Sequence, residues 1–150
     1  MASADRDFFP HVTVATVIEQ DGRLLFVEEM SQGERVINQP AGHLEPNESL
    51  VEAAVRETLE ETGWHVAITG LLGVALYRSE QSGETYHRTT FVGKTLQQHS
   101  NATLDPAILA THWLTLDEAR AHAARPRSPL VLHFVEQYLQ GQIYPANIVI

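Results

Sequence analysis

The chain has 150 residues with 43% hydrophobic composition, enough for one domain with a sizeable core. Ten Lys and Arg face nineteen Asp and Glu, a formal net charge of -9, which argues against broad binding to nucleic acid or anionic membranes and favours a chain that gathers cations. Cysteine is absent, so disulfides and thiolate metal sites are excluded.

The first nine residues are polar and acidic and lack the apolar core of a signal peptide. No run reaches transmembrane length, and the default location is the cytoplasm. The sequons at Asn47 and Asn101 are therefore read as chance. His11 to Ile18 is rich in Val and Thr and predicts a buried strand. Asp21-Gly22 predicts a turn, and Arg23 to Val27 a returning strand. Gly33 and Pro40-Ala41-Gly42 break the following segment into short extended pieces.

Ser49, with Glu52 three residues later, has the form of a capping box. Leu50, Val51, Ala54, Val55, Thr58 and Leu59 then recur at helical spacing until Gly63, a residue suited to ending a helix. Strands are predicted over Trp64 to Tyr77, Thr85 to Leu96 and Leu109 to Leu114, with a turn at Ser82-Gly83. Trp113 reads as core. Leu116 to Ala124 and Pro129 to Gln140 read as closing helices, the second capped by Ser128 with Pro129 at its first position. The N-terminus of that second closing helix, with Arg125 and Arg127 beside it, is also a place that could receive a phosphate. These elements make an α/β protein, a mixed sheet with helices packed on it.

Glu57, Glu60 and Glu61 stand at i, i+3 and i+4, so three carboxylates share one helix face. Like charges at this spacing oppose the helix by about 0.2–0.5 kcal/mol per pair, a cost that vanishes if a dication sits among them. Magnesium takes hard oxygen ligands together with substrate phosphates, and manganese accepts the same set. A Glu trio alone is more often a solvated acidic face. Here it is joined by Gly42, Glu48, Arg56 and Gly63 at fixed offsets, a coincidence on the order of 10⁻⁸ per register.

This string, residues 42–64, resembles the Nudix box: Gly42, five residues, Glu48, seven residues, Arg56-Glu57, a usually aliphatic position (Thr58), one residue, Glu60-Glu61, one residue, Gly63 and a final aliphatic slot holding Trp64. The resemblance implies an α/β/α sandwich around a mixed sheet and a single hydrolase domain over residues 1–150. It implies Glu57, Glu60, Glu61 and the Ala41 carbonyl as metal ligands, Glu57 also as activator of water, and Arg56 as the residue that holds Glu57. Glu48 is implied as a helix anchor or a second-metal carboxylate.

Further segments, Pro10 to Ala15, Asn38 to Glu45, Arg127 to Val131, Gly141-Gln142 and Tyr144-Pro145, resemble the phosphatase NudJ subgroup of the family. That implies release of orthophosphate from nucleoside tri- and diphosphates, and action on the pyrophosphates of thiamine and its hydroxymethylpyrimidine precursor. Other expectations are a nucleoside triphosphate pyrophosphohydrolase of the house-cleaning type, a non-catalytic ligand-binding Nudix module, and an RNA-processing hydrolase. The complete Glu and Arg set weighs against the module, and the acidic balance against RNA. The expected partner is a small phosphorylated molecule, with the chain a monomer or homodimer.

Substrate-binding candidates are Tyr77, Tyr86 and Phe91, whose rings could stack on a flat heterocycle, Arg88 for a phosphate, and His43 beside the box glycine. Gly93-Lys94-Thr95 mimics the end of a P-loop, but Arg88 stands where the first glycine is required. The eight histidines form no HExxH helix.

Overall fold

The structure is a computed structural model that describes residues 7–150. Residues 1–6, within the segment read as lacking a leader, lie outside the described residues. Strand β1 (His11–Gln20) turns through Asp21 and Gly22, with φ of 53° and 80°, into β2 (Arg23–Ser31). Two positive φ values in succession match the hairpin twist and explain the Asp-Gly pair. After β3 (Glu34–Asn38) and β4 (Ala41–His43) comes α1 (Leu50–Thr62). Ser49 and Glu52 close a capping box at its start, and Gly63 ends it with φ 76°.

Strands β5 (Trp64–Arg78) and β6 (Thr85–Gln98) form a long antiparallel pair, followed by β7 (Ile108–Leu114), α2 (Leu116–Arg120), β8 (Arg125–Pro126) and α3 (Pro129–Leu139). The sheet runs β5-β6-β1-β2-β3-β8, with β4 on β1 and β7 on β2. The β1–β6 and β3–β8 pairs are parallel and the rest antiparallel, so the sheet is mixed.

Alternation along the strands divides the core between two faces. Val14, Leu71 and Phe91 pack with Ala53 and Ala54 of α1 on one side. Val17, Phe26 and Leu72 pack with Ala119, Val131, Phe134 and Val135 on the α2–α3 side. The result is the α/β/α sandwich expected from the sequence. Trp113 packs edge-to-face against Trp64 with centroids 6.2 Å apart, beside Ile18, Leu25 and Val66. Thr58 is fully buried, and its hydroxyl donates to the Ala54 carbonyl at 2.8 Å, so the polar atom is satisfied.

Two expectations change. The helix read over Leu116 to Ala124 ends at Arg120. Pro126 disfavours helix at Arg125, and the His122 ring accepts the Ala124 N–H at 3.1 Å, turning the chain into β8. Phe91, a stacking candidate, is fully buried beneath α1 and does not face the cleft.

Candidate active site

The helix α1 presents its carboxylates toward β4, and Arg56 is the hub that fixes them. Its Nε and Nη2 donate to the two oxygens of Glu48 at 2.9 and 2.7 Å, a bidentate pair. Nη1 donates to Glu57 Oε1 at 2.8 Å and Glu60 Oε2 at 3.1 Å, and Nη2 also reaches the His43 carbonyl at 2.9 Å. Glu48 accepts a further bond from the Glu45 N–H at 2.8 Å. The Arg56 hydrogen bonds hold the Glu48 carboxyl below the usual carboxylate range, although partial burial opposes them. The Arg56 guanidinium is raised in return, chiefly by its hydrogen bond to Glu48.

Glu57 and Glu61 differ from Glu48. Burial pushes Glu57 up, only partly offset by Arg56, and Glu60 and Asp105 add like charge. Glu61 is 5% exposed, and burial pushes it up to about 9 against the single hydrogen bond from Ala41 N–H at 2.8 Å. Two carboxyls on one helix face, sharing a single guanidinium that bonds only Glu57 of the two, are a ready receptor for a cation. The position of Gly42 belongs to the same design, because a Cβ there would overlap the Glu57 carboxyl group. The glycine lets β4 lie against the acidic face of α1. The donor set, all oxygen, fits magnesium or manganese.

A cleft of about 680 Å³ opens beside these groups. Ala41, Gly42, His43, Glu57, Glu61, Tyr77, Tyr86 and Arg88 all line it. Glu60 and Glu48 do not line it: Glu60 is half-exposed on α1, and both Glu48 oxygens are engaged by Arg56. Arg88 is 8% exposed and bonds to Asn38 Oδ1 at 3.2 Å and to Gln39 Oε1, with no carboxylate within ion-pair distance among the described residues. Burial lowers it to about 10, and Arg127 adds like charge.

Tyr86 stacks on His11 with centroids 4.9 Å apart, and its hydroxyl meets Glu84 at 3.1 Å. His43 Nε2 lies 2.9 Å from His11 Nδ1. Burial, His11 and Arg127 lower His43, favouring the neutral ring. Ser128 caps α3 as expected, with its hydroxyl accepting the Leu130 N–H at 3.3 Å, and both residues border the cleft.

Sequence reasoning missed Glu29 and Asp105, which line the cleft from β2 and from the loop before β7, and the amides of Asn38 and Gln39 that hold Arg88. No local spacing marks them. Only the β2–β3 hairpin and the Asp105 N–H bond to the Glu60 carbonyl at 2.8 Å bring them in.

Comparison with known proteins agrees with this geometry. The NUDIX domain family model matches residues 8–134. The chain is 37% identical over 143 residues to Phosphatase NudJ of Escherichia coli K12, covering 95% of this chain and 92% of that protein. A NUDIX hydrolase structure from Nitrosomonas europaea superposes with a TM-score of 0.90 at 43% identity, covering 95% of this chain and 97% of the other. The E. coli ORF135 protein shares the fold, with a TM-score of 0.68 at 23% identity over 91% of this chain and 96% of that one. With the box residues gathered at one cleft and relatives matched along nearly their whole length, the chain belongs to the Nudix family and is a Nudix hydrolase of phosphoanhydrides.

Proposed function

We propose that this enzyme, acting in the cytoplasm, removes orthophosphate stepwise from nucleoside tri- and diphosphates, and also accepts pyrophosphates of the thiamine pathway, namely hydroxymethylpyrimidine pyrophosphate and thiamine pyrophosphate. The single observation that carries the reading is that the cleft brings the α1 carboxyls and a group of arginines together. The Glu57 and Glu61 carboxyls of α1 share its lining with Arg78, Arg88, Arg125 and Arg127, four of the chain's ten Lys and Arg residues. Arg127 is paired with Glu29 of β2 at 2.6 Å, while Arg88 has no carboxylate within ion-pair distance among the described residues. A phosphate chain suits such a site, with a cation at the α1 carboxyls and guanidinium groups within the same cleft.

Glu57, Glu60, Glu61 and the Ala41 carbonyl are the residues that would hold magnesium or manganese. Bound there, the cation neutralises phosphate charge and polarises the anhydride. Glu48 serves as anchor, because both its oxygens are spent on Arg56. Arg56 fixes Glu57 through Oε1, leaving Oε2 to take the proton from the attacking water. The water oxygen bonds to phosphorus, the bridging P–O bond breaks, and the shortened nucleotide leaves with the bridging oxygen.

Arg88 would hold the phosphate group remote from α1. Tyr77 and Tyr86 would receive the flat organic part, and His43, kept neutral, would hydrogen-bond to a phosphate oxygen. Stacking does not read base edges, so base preference is expected to be weak. The test is an orthophosphate-release assay over a panel of nucleotides and the two thiamine-pathway pyrophosphates. Activity should vanish with a chelator and return with magnesium or manganese. Turnover undiminished in metal-free enzyme, or strict selectivity for one base, contradicts the proposal.

A further inference from the structure

A second cluster of ligating side chains lies outside the cleft. Neighbours Glu28 and Glu29 on β2 point to opposite faces of the strand. Glu29 lines the cleft and Glu28 does not. Glu28 is 7% exposed on the other face, where Phe26 joins the α2–α3 core. His112 of β7 lies across from Phe26, diagonal to Glu28, and His122 comes from the turn after α2. The two imidazole rings are 5.0 Å apart and tilted by 55°. One ligand atom from each of Glu28, His112 and His122 lies within 4.8 Å of the others.

The two oxygens of Glu28 have separate surroundings. Oε2 is held by Arg35 Nη1 at 2.6 Å, while Oε1 lies 3.2 Å from His112 Nε2. Tetrahedral zinc with bonds of about 2.0–2.1 Å sets its ligand atoms about 3.3 Å apart. The Glu28–His112 separation already has that length. His122 Nδ1 lies 3.3 Å from the Ala124 carbonyl oxygen. The same Nδ1 accepts the Ala124 N–H at 3.1 Å, so zinc on Nε2 would require the other tautomer, with Nδ1 giving up that bond and donating its proton to the carbonyl, the arrangement that orients ligating histidines. Arg35 plays the corresponding part for the carboxylate. Both histidines are partly exposed, so an ion can enter from solvent.

We propose that Glu28, His112 and His122 form a cation site, separate from the acidic face of α1, that takes zinc. Two imidazoles and one carboxylate suit a borderline dication and leave a fourth position for water. Magnesium, which demands oxygen, does not compete for it. Zinc here ties the turn after α2 to β2 and β7. That turn continues into β8 and Arg127, which borders the cleft, so the site braces one wall of the catalytic opening.

The test uses the full chain, stripped with chelator and dialysed against zinc in excess magnesium, with bound zinc per chain and thermal midpoint as readouts. One zinc per chain is expected in the parent and in Glu57→Gln, with a raised midpoint in both. His122→Ala lies in a turn and should fold, as checked by circular dichroism, yet bind zinc at least about tenfold more weakly. His112→Gln, which preserves strand packing, should lose zinc to a similar degree. In the parent, nitrogen-15 shifts of the ring nitrogens of His112 and His122 should move on zinc addition. Zinc binding unchanged in both histidine variants, or abolished by Glu57→Gln alone, overturns the proposal.

Discussion

Gly42 and Glu57 occupy a shared space, and that contact makes a sharp prediction at the scale of single residues. A methyl group at position 42 overlaps the Glu57 carboxyl, whose flexible end can move aside. Gly42→Ala should therefore fold, with Glu57 displaced from its place. A misplacement of about 1 Å near the chemistry costs on the order of 10²-fold in rate, and kcat measurements should register a loss of that size. Glu57→Gln keeps the shape and removes the charge, so kcat should fall by at least about 10²-fold while the fold survives. Normal turnover in that variant would remove Glu57 from the mechanism. Arg56→Lys keeps a cation but cannot reproduce the paired bonds to Glu48 or reach Glu57, Glu60 and the His43 carbonyl together. Its kcat should drop by about tenfold or more, and kinetics equal to the parent's would end the orienting role. The box residues were legible because i, i+3 and i+4 spacing survives in one dimension. Asp105 and Glu29 were not, because only long-range folding brings them to the helix.

Helix α1 carries the main electrostatic liability at the scale of elements. Burial pushes the Glu61 carboxyl up to about 9 in the folded protein, from an ordinary value of 4.5. Between those values the folded protein holds a proton that the unfolded chain has released. Stability of the metal-free protein must therefore fall as pH rises through that window. Glu61→Gln, which still accepts the Ala41 N–H, should flatten the pH dependence and raise the metal-free midpoint at pH 8, by roughly 2–4 °C per kcal/mol relieved. Thermal melts of both proteins at pH 5 and pH 8 check this, and parallel pH profiles would contradict it. The ends of α1 were readable from Ser49, Glu52 and Gly63. The end of α2 was not, since it depends on His122 capturing a backbone N–H and on β8 pairing beside β3. Phe91 likewise looked like a pocket residue by alternation, but α1 covers that part of the sheet.

At the scale of the whole molecule, a net charge of -9 coexists with a cleft bordered by four arginines. The sandwich makes this possible by bringing Arg88 from β6 and Arg127 from the segment between β8 and α3 to the same opening as the α1 carboxyls. Composition alone discloses the acidity but not this gathering of arginines at the cleft. Arg88→Met would remove the buried guanidinium and its contacts to Asn38 and Gln39 while keeping apolar bulk. If Arg88 grips phosphate throughout the reaction, KM should rise by about tenfold or more with a smaller change in kcat. Loss of kcat alone would place its role elsewhere.

The most direct measurement of the central claim is a phosphorus-31 NMR time course of a nucleoside triphosphate with magnesium, run in parallel on the parent and Glu57→Gln. Orthophosphate and nucleoside diphosphate should appear first and together in the parent, monophosphate later, and the variant should be slower by at least about 10²-fold. Pyrophosphate and monophosphate as the initial products, or equal rates in the two proteins, would contradict it.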